Sequence, residues 1–292
     1  MLKIANISHR TAALAAALVL ASMSSASAET LFEKAKASRT AVVGIANEKP
    51  YGYLETDGTM KGVIIDVLRA ALKPIGIDKV EANVSEFSAM IPGINARRFD
   101  IIGAGMAIRP QRCESVAFSS PISRLANVVA VKAGNPHNIH SLEDIAKSGT
   151  LKIGSQIGSS QLADLPKAGI PEDRVVSFAL DTEAIAGLKA GRVDAIYFPS
   201  LQLSDLIQNF GDGVVERAEP FQVAKDDKGN PLYVFQAFGF NKEDSDFVNA
   251  LNVEIRKLNE SGELLKILEP YGFTKEDVPD PNLTAAQLCS GS

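Results

Sequence analysis

One arginine in this sequence stands where its side chain could bind an anion. Arg112 follows a predicted strand end and an Arg109-Pro110 turn, which places its guanidinium at the edge of a cleft. A guanidinium is a planar fork that holds a carboxylate by two parallel hydrogen bonds. We therefore predict that Arg112 binds a ligand carboxylate; the alternative is a solvated surface charge.

A second candidate anion site is Gly158-Ser159-Ser160, between a predicted strand and a predicted helix. Free backbone N–H groups, a hydroxyl and the helix dipole together favour an anion there. Ser159 and Ser160 are thus candidate ligand contacts, and the alternative for Ser159 is a plain N-cap. Gly105 would let backbone groups approach the ligand closely, or it is simply a turn glycine.

Two aromatic residues and one acid are candidates for binding a cation. Tyr51 and Phe87 come just after predicted strands, so their rings can face the cleft rather than the core. Aromatic faces attract delocalised or quaternary cations through their quadrupoles. Glu48 lies three residues before Tyr51 and could accept a hydrogen bond from a ligand N–H, unless it is only a surface acid.

The sequence offers no convincing catalytic or metal-binding set. His137 and His140 lie in a polar connector, where their spacing more often marks a solvated loop than a metal site. No histidine falls in the predicted cleft, and no phosphate loop or Cys-x-x-Cys is present, so we expect no enzyme activity, metal or cofactor. The open alternative is an enzyme that uses Glu48 as an acid or base.

The composition is that of a globular protein without a nucleic-acid footprint. The chain has 292 residues, 46% of them hydrophobic and 22% charged, with a formal net charge of −5 and no long run of one sign. Such a chain can bury a full core as one large domain or two medium ones. A nucleic-acid partner is not expected.

The N-terminus has the features of a secretory signal peptide. Lys3 and Arg10 flank the start, an apolar run covers residues 11–23, and Ala26-Ser27-Ala28 forms a small-residue cleavage site. A membrane anchor would need about 20 apolar residues, and this run is shorter. We predict cleavage after Ala28 and a periplasmic location.

Cys113 and Cys289 form an even pair in a protein predicted to enter an oxidising compartment. Our hypothesis is a disulfide that ties the C-terminal tail to the first lobe; the alternative is two independent thiols.

The elements that must position these residues alternate between short apolar runs and amphipathic stretches, a pattern typical of β-α units around parallel sheets. The pattern occurs twice. The first set has strands at 41–46, 79–84 and 100–104 and helices at 63–72 and 88–96. The second has strands at 127–131, 151–154, 175–178 and 193–198, with helices at 142–147, after Ser159 and at 183–190.

A turn-rich break at 226–231 precedes one more strand at 232–240 and helical periodicity over 245–268, interrupted at Gly262. This order predicts an α/β fold of two lobes joined by two crossings, near 122–126 and 229–233. Residues 29–122 and 234–292 would form a discontinuous first lobe, and 123–233 the second. Ligands of such folds bind at the carboxyl ends of strands, here in the interlobe cleft.

Four segments of the chain carry a resemblance to a known family. Residues 50–53 (PYGY), 87–93, 103–112 (GAGMAIRPQR) and 118–121 (FSSP), with 154–160 and 191–195, resemble in order and spacing the periplasmic solute-binding proteins of polar amino-acid ABC importers, family 3. The resemblance implies a type II periplasmic-binding-protein fold, monomeric, that closes on one solute and presents it to an inner-membrane permease. It also implies carboxylate binding by Arg112 and Ser159, and ligand stacking near Tyr51 and Phe87.

The sequence departs from this family at one informative position. Where amino-acid binders carry an aspartate that pairs with the ligand's α-ammonium, this chain has Phe198-Pro199. An unpaired buried ammonium is costly, so the departure predicts a ligand whose positive charge is delocalised or alkylated.

Glu48, Tyr51, Phe87 and Arg112 in this spacing are similar to the subgroup that binds ectoine and hydroxyectoine, which carry a carboxylate and a cyclic amidinium. Ala107 stands where that subgroup would supply a further aromatic, and Tyr197 or Phe198 could compensate unless they belong to the core. The alternatives are a polar amino-acid-binding protein of the same family or a cyclohexadienyl-dehydratase-like enzyme.

Overall fold

Strands and helices alternate along the chain, as the sequence pattern predicts. The computed structural model describes residues 29–225, 229 and 231–291; the predicted signal peptide and most of the turn-rich break lie outside these residues. The strands are β1 (Thr40–Ile45), β2 (Tyr53–Leu54), β3 (Met60–Lys61), β4 (Lys79–Val84), β5 (Ile101–Ala107), β6 (Ala117–Phe118), β7 (Ser123–Lys132), β8 (Ile153–Gln156), β9 (Val175–Phe178), β10 (Ala195–Pro199), β11 (Val215–Arg217) and β12 (Tyr233–Phe240).

The α-helices lie between and after these strands. They are α1 (Leu31–Ser38), α2 (Val63–Leu72), α3 (Met90–Asn95), α4 (Pro110–Cys113), α5 (Leu142–Ser148), α6 (Ser160–Asp164), α7 (Asp181–Lys189), α8 (Ser200–Phe210), α9 (Ser245–Glu260), α10 (Glu263–Leu268) and α11 (Ala285–Cys289). Short 3₁₀ helices add Lys73–Ile75, Phe87–Ala89, Glu172–Arg174, Glu269–Tyr271 and Lys275–Asp277.

Helix α2 shows how the sequence pattern becomes structure. Its apolar residues cover a wide face, and Val63, Leu68 and Leu72 are fully buried against β1 and β5. The helix ends where Pro74 forces a 3₁₀ turn and Gly76 takes up a left-handed conformation. The predicted bounds 63–72 therefore match the structure.

Ten of the described strands form two halves of one continuous hydrogen-bonded path, and β2 and β3 pair with each other separately. The order is β4-β1-β5-β12-β7-β10-β8-β9, with β6 paired to β12 and β11 to β7. The pairs β1–β4, β1–β5, β8–β9 and β8–β10 are parallel, whereas the pairs that involve β7 and β12 are antiparallel. Parallel pairs on both sides of an antiparallel centre make the two α/β lobes.

The first lobe is discontinuous in sequence, as predicted. Phe240, Phe247 and Leu264 from the C-terminal segment share a buried cluster with Val43 and Leu68. A second cluster, on the other side of the β5 region, contains Met90, Phe99 and Phe118. The second lobe likewise has two clusters, which include Phe178 and Leu203 in one and Ile145 and Tyr197 in the other.

The connections between the lobes are strands rather than loops. Residues Ser123 to Ala126 of β7 pair with Gln236 to Tyr233 of β12, at the two segments where the sequence predicts the crossings. Buried Ser123 donates a hydrogen bond to the Gln236 side chain, which links the two connections. No helix in the described part of the chain is long and apolar enough to cross a membrane.

Cys113 and Cys289 form a disulfide with a Cα–Cα distance of 5.9 Å. The bridge joins α4, which carries Arg112, to α11 near the C-terminus. The hypothesis that the tail is tied to the first lobe is thereby confirmed.

Candidate functional site

A small cavity between the lobes brings all of the predicted site residues together. Its volume is about 20 Å³, enough for about one water-sized sphere. The lining residues are Glu48, Tyr51, Phe87, Ala104, Gly105, Ala107, Arg112, Gln156, Ser159, Ser160, Gln161, Phe198, Pro199, Gln202, Val234 and Gln236. The carboxyl ends of β1, β5, β8 and β10 therefore meet at this cavity.

A tight turn after β1 positions Glu48 and Tyr51. The Tyr51 and Gly52 N–H groups both donate to the Glu48 carbonyl, at 2.9 and 3.2 Å. The Tyr51 carbonyl in turn accepts from the N–H of Ile64 at 3.1 Å, which fixes the turn to the start of α2. Gly62 has φ +124°, and a Cβ there would lie 2.1 Å from the Tyr51 carbonyl oxygen. Only glycine allows this approach.

Gly105 allows the Tyr51 ring to reach the cavity. Its φ is +61°, and a Cβ would lie 2.9 Å from the Tyr51 ring and 3.0 Å from the Gln236 amide nitrogen. A side chain at position 105 would be strained and would displace both neighbours. The structure thus gives Gly105 a definite steric role on the cavity wall.

The Tyr51 hydroxyl is buried on this wall. Tyr51 is 2% exposed, and among the described residues its hydroxyl has no hydrogen-bond partner. The nearby Gln236 amide nitrogen donates one of its two N–H groups to the Gly105 carbonyl, and its oxygen accepts from Ser123. Burial raises the pKa of Tyr51, so the hydroxyl stays protonated and can donate to a ligand.

Arg112 spans the cleft from the first lobe to the second. Its guanidinium donates to the Ala107 carbonyl and to the Gly158 carbonyl, both at 2.8 Å. Its guanidinium carbon lies 5.6 Å from the centre of the Phe87 ring. Burial, with a further effect from the Arg109 charge, lowers the pKa of Arg112 to about 10, and the group remains a cation at neutral pH. Its fork could exchange these carbonyls for a carboxylate.

Glu48 is a buried acid that also lines the cavity. It is 5% exposed and accepts a hydrogen bond from the Gln156 amide across the cleft. Burial, with a smaller effect from the Asp181 charge, raises the pKa of Glu48 to about 8. The interpretation of Glu48 as only a surface acid is therefore wrong.

Ser159 is the N-cap of α6 and also lines the cavity. Its hydroxyl accepts from the Leu162 N–H at 3.1 Å and lies 3.3 Å from the Ser155 hydroxyl. Ser160 is buried beside it, and its hydroxyl donates to the Gln161 side chain at 3.3 Å. Both of the functions considered for Ser159 are thus compatible with its position.

Four buried glutamines complete the lining, and sequence reasoning missed them. Gln156 ends β8, so the strand-end rule that identified Arg112 could also have found it. Gln161, Gln202 and Gln236 come from two helices and from β12, and no local pattern marks them as cavity residues. Their amides can offer either donors or acceptors to a polar ligand.

Tyr197 and Phe198, the two aromatic residues that could compensate for Ala107, line different cavities. Phe198 lines the cavity while packing in a core cluster, and Ala107 lines the same cavity. Tyr197 instead faces a separate cavity of about 300 Å³, with Arg109 and Asp164. Phe198 therefore lies both in a core cluster and on the wall of the cavity that Ala107 lines.

The cavity combines one cationic group, one acidic group and three aromatic rings. Arg112, the two serines, Glu48 and Tyr51 all line this one cavity. Such a combination suits a molecule with a negative and a positive end. The described residues contain no group of three His, Cys, Asp or Glu side chains that could hold a metal ion.

Comparison with known proteins agrees with this geometry. Residues 41–275 match the family described as bacterial extracellular solute-binding proteins, family 3. A "probable amino-acid ABC transporter periplasmic-binding protein y4tE" of Sinorhizobium fredii is 36% identical over 284 residues, covering 96% of this chain and 93% of that protein.

Solved structures give the same result. The crystal structure of EhuB in complex with hydroxyectoine is similar with a TM-score of 0.79 and 37% identity, covering 90% of this chain and 99% of that one. An ancestral arginine-binding protein bound to arginine gives a TM-score of 0.69 and 27% identity, covering 80% of this chain and 98% of that one. The two-lobed fold predicted from the sequence is confirmed.

Proposed function

Because this chain belongs to family 3 of the bacterial extracellular solute-binding proteins, we propose that its interlobe cavity captures a small zwitterion, specifically ectoine or hydroxyectoine. The protein is the substrate-binding component of an amino-acid-type ABC importer. The choice of solute is the step that goes beyond family membership.

The presence of Arg112 and Glu48 on the wall of one cavity is the observation that carries this proposal. Arg112 offers two N–H groups for a carboxylate, and Ser159 lies on the same cavity wall. Glu48 and the rings of Tyr51 and Phe87 offer a negative and aromatic surface for a delocalised cation. A similar protein with 37% identity was crystallised with hydroxyectoine, which supports this solute class.

Phe198-Pro199 argues against an ordinary α-amino acid. Both residues line the cavity, in the position where a family aspartate would pair with an α-ammonium. A primary ammonium would need several hydrogen bonds to replace its lost hydration, whereas a ring amidinium can stack on an aromatic face. The site is therefore better matched to a cyclic amidinium.

Capture would occur by closure of two lobes about the paired strands β7 and β12. We assign residues 29–122 and 234–292 to the first lobe and 123–233 to the second. The protein would act as a monomer without cofactor or turnover, in the periplasm, after cleavage at Ala28. There it would present the closed form to an inner-membrane permease.

A thermal-shift panel on the purified mature protein tests the solute. The panel contains ectoine, hydroxyectoine, glycine betaine, choline, arginine, glutamine and cystine. A ligand that binds only the native protein raises the melting temperature of the protein. The increase grows with the ratio of the ligand concentration to its Kd. We expect ectoine and hydroxyectoine to give the largest shifts. Strong stabilisation by arginine or glutamine with none by ectoine would show a polar amino-acid binder, and consumption of arogenate or prephenate would show an enzyme.

Replacing Arg112 tests the carboxylate contact. Two charge-assisted hydrogen bonds are worth about 1.5–3 kcal/mol each, so Arg112→Ala should raise the Kd for ectoine at least about 100-fold. Calorimetric titration measures this change, and a retained unfolding transition shows that the fold survives. Arg98→Ala, an exposed arginine of the same lobe, is the control and should bind normally. Equal affinity of the Arg112→Ala protein would remove the basis of the proposal.

A further inference from the structure

A second buried carboxylate lies behind the cavity wall that contains Glu48. Asp181 is the first residue of α7 and is 6% exposed, close to the 5% of Glu48. The Gln202 amide, which lines the cavity, donates to Asp181 at 3.1 Å, as the Gln156 amide donates to Glu48. Two buried acids, one from each lobe, thus reach the same cavity wall through glutamine amides.

Among the described residues, neither Glu48 nor Asp181 has a salt-bridge partner. A larger cavity of about 550 Å³ adjoins the first, and Glu48 and Asp181 both line it. The two cationic residues that line these cavities have other contacts. The Lys49 ammonium lies 4.9 Å from the centre of the Tyr53 ring, and the Arg112 guanidinium donates hydrogen bonds to backbone carbonyls. The titratable and charged groups that face the pair across both cavities are Lys49, Tyr51, Tyr53, Glu86, Arg112 and Asp205.

The two acids influence each other. Burial raises the pKa of Glu48 to about 8, and the Asp181 charge adds to the effect. Burial also raises the pKa of Asp181, with the Gln202 hydrogen bond opposing it. Two interacting acids in a poorly solvated site lose their protons in separate steps that belong to the pair. Burial and the repulsion between the two negative charges therefore both favour retention of a proton on this pair.

We propose that Asp181 is a specificity-determining partner of Glu48, and that the pair holds one proton which it releases when the cationic end of a ligand binds. On binding, the O–H bond of the carboxylic acid breaks, the proton goes to solvent and the ligand cation takes its place beside the Glu48 carboxylate, with Asp181 behind the Gln202 amide. Asp181 acts through Gln202 and through its charge, as a positioning residue. The proposal rests on the proposed function, because it requires a ligand with a positive end.

Proton release determines whether ligand affinity rises or falls with pH. Below pH 8 the ligand must displace a proton, so affinity rises with pH by about tenfold per pH unit. Above pH 8 the pair is already ionised and affinity levels off. A neutral solute, or a carboxylate without a cation, would gain nothing from this rise.

Carboxyl ¹³C NMR of the ligand-free protein tests the pair without any ligand. The Glu48 resonance, assigned by its loss in Glu48→Gln, should titrate near pH 8 in the unsubstituted protein and at lower pH in Asp181→Asn. Asp173→Asn, an exposed acid of the same lobe, is the matched control and should leave the midpoint unchanged. An unchanged midpoint in Asp181→Asn, or an ordinary glutamate midpoint in the unsubstituted protein, would overturn the proposal.

Calorimetry with ectoine in buffers of different ionisation enthalpy then counts the released protons. We expect about one proton at pH 7, and close to none in Glu48→Gln, whose affinity should no longer rise with pH. If no solute of the panel binds while the NMR titration behaves as expected, the proposed function fails and the carboxylate pair stands. If ectoine binds without proton release, the pair proposal fails and the proposed function stands.

Discussion

The Tyr51 hydroxyl is a polar group whose burial costs free energy in the ligand-free protein. It lies on the cavity wall without a hydrogen-bond partner among the described residues. A buried hydroxyl in this condition costs about 1–3 kcal/mol, because its hydration is lost and not replaced. A ligand atom that accepts a hydrogen bond from this hydroxyl removes this free-energy cost. The hydroxyl therefore favours a ligand that can accept a hydrogen bond there.

Tyr51→Phe tests this cost directly. We expect the free energy of unfolding of the ligand-free protein to rise by about 1 kcal/mol, while affinity for ectoine falls. Urea unfolding measures the first effect and calorimetry the second. The matched control is Tyr271→Phe, which removes a hydroxyl that donates to Asp66 and should lower stability by about 1 kcal/mol. Destabilisation by Tyr51→Phe would show that the hydroxyl is satisfied.

The site residues that sequence reasoning identified are those at strand ends. Tyr51, Phe87 and Arg112 follow β1, β4 and β5, and the carboxyl ends of parallel strands meet at one edge. Asp181 and Gln202 also follow strands, β9 and β10, but the sequence did not single them out as site residues. Their proximity to Glu48 depends on how the lobes pack, which no local pattern encodes.

At the scale of elements, α4 is the segment whose position matters most for the site. It has only four residues, too few to be stable as an isolated helix, and it carries Arg112. The disulfide from Cys113 to α11 and the packing of Phe87 and Leu288 in the same apolar cluster hold it against the first lobe. The C-terminal tail thus supports the carboxylate site.

Replacing both cysteines by serine tests this support. Loss of a native disulfide that closes a long loop should lower the free energy of unfolding by about 2–4 kcal/mol. Urea unfolding with and without reductant measures it, and the serine double variant itself serves as the control because reductant should not change it. We also expect weaker ectoine binding, since Arg112 loses its anchor. Equal stability of the two proteins would show that packing alone holds the tail.

Element prediction succeeded where apolar runs were bounded by turn residues and failed where they were not. The bounds of α2, β4 and β9 match the prediction. Helix α8 was not predicted, because it begins at Ser200 directly after Pro199 ends β10, with no turn residue between them. Both predicted crossings overlap strands, β7 and β12, whose residues 123–126 and 233–236 pair with each other.

For the whole molecule, the two lobes are held together by bonds that a ligand would partly replace. Arg112 to Gly158 and Glu48 to Gln156 cross the cleft inside the cavity. The ion pair between Arg109 and Asp164, at 2.7 Å, crosses it outside the cavity. A ligand must exchange the first two bonds for its own, whereas the ion pair can persist in the liganded form. The ion pair is therefore the contact that favours closure without competing with the solute.

Breaking this ion pair should shift the protein towards open lobes. A partly exposed pair contributes about 0.5–1 kcal/mol, so Arg109→Gln should raise the Kd for ectoine about 2–5-fold, mainly through faster dissociation. Small-angle scattering should show a larger radius of gyration for the ligand-free variant, because apparent affinity follows the fraction of competent protein. Lys167→Gln, which removes the other partner of Asp164 within the second lobe, is the matched control and should alter neither quantity. If Arg109→Gln and Lys167→Gln behave alike, closure does not depend on the ion pair. The balance between open and closed lobes is then set by the hydrogen bonds inside the cavity, which the solute must exchange for its own.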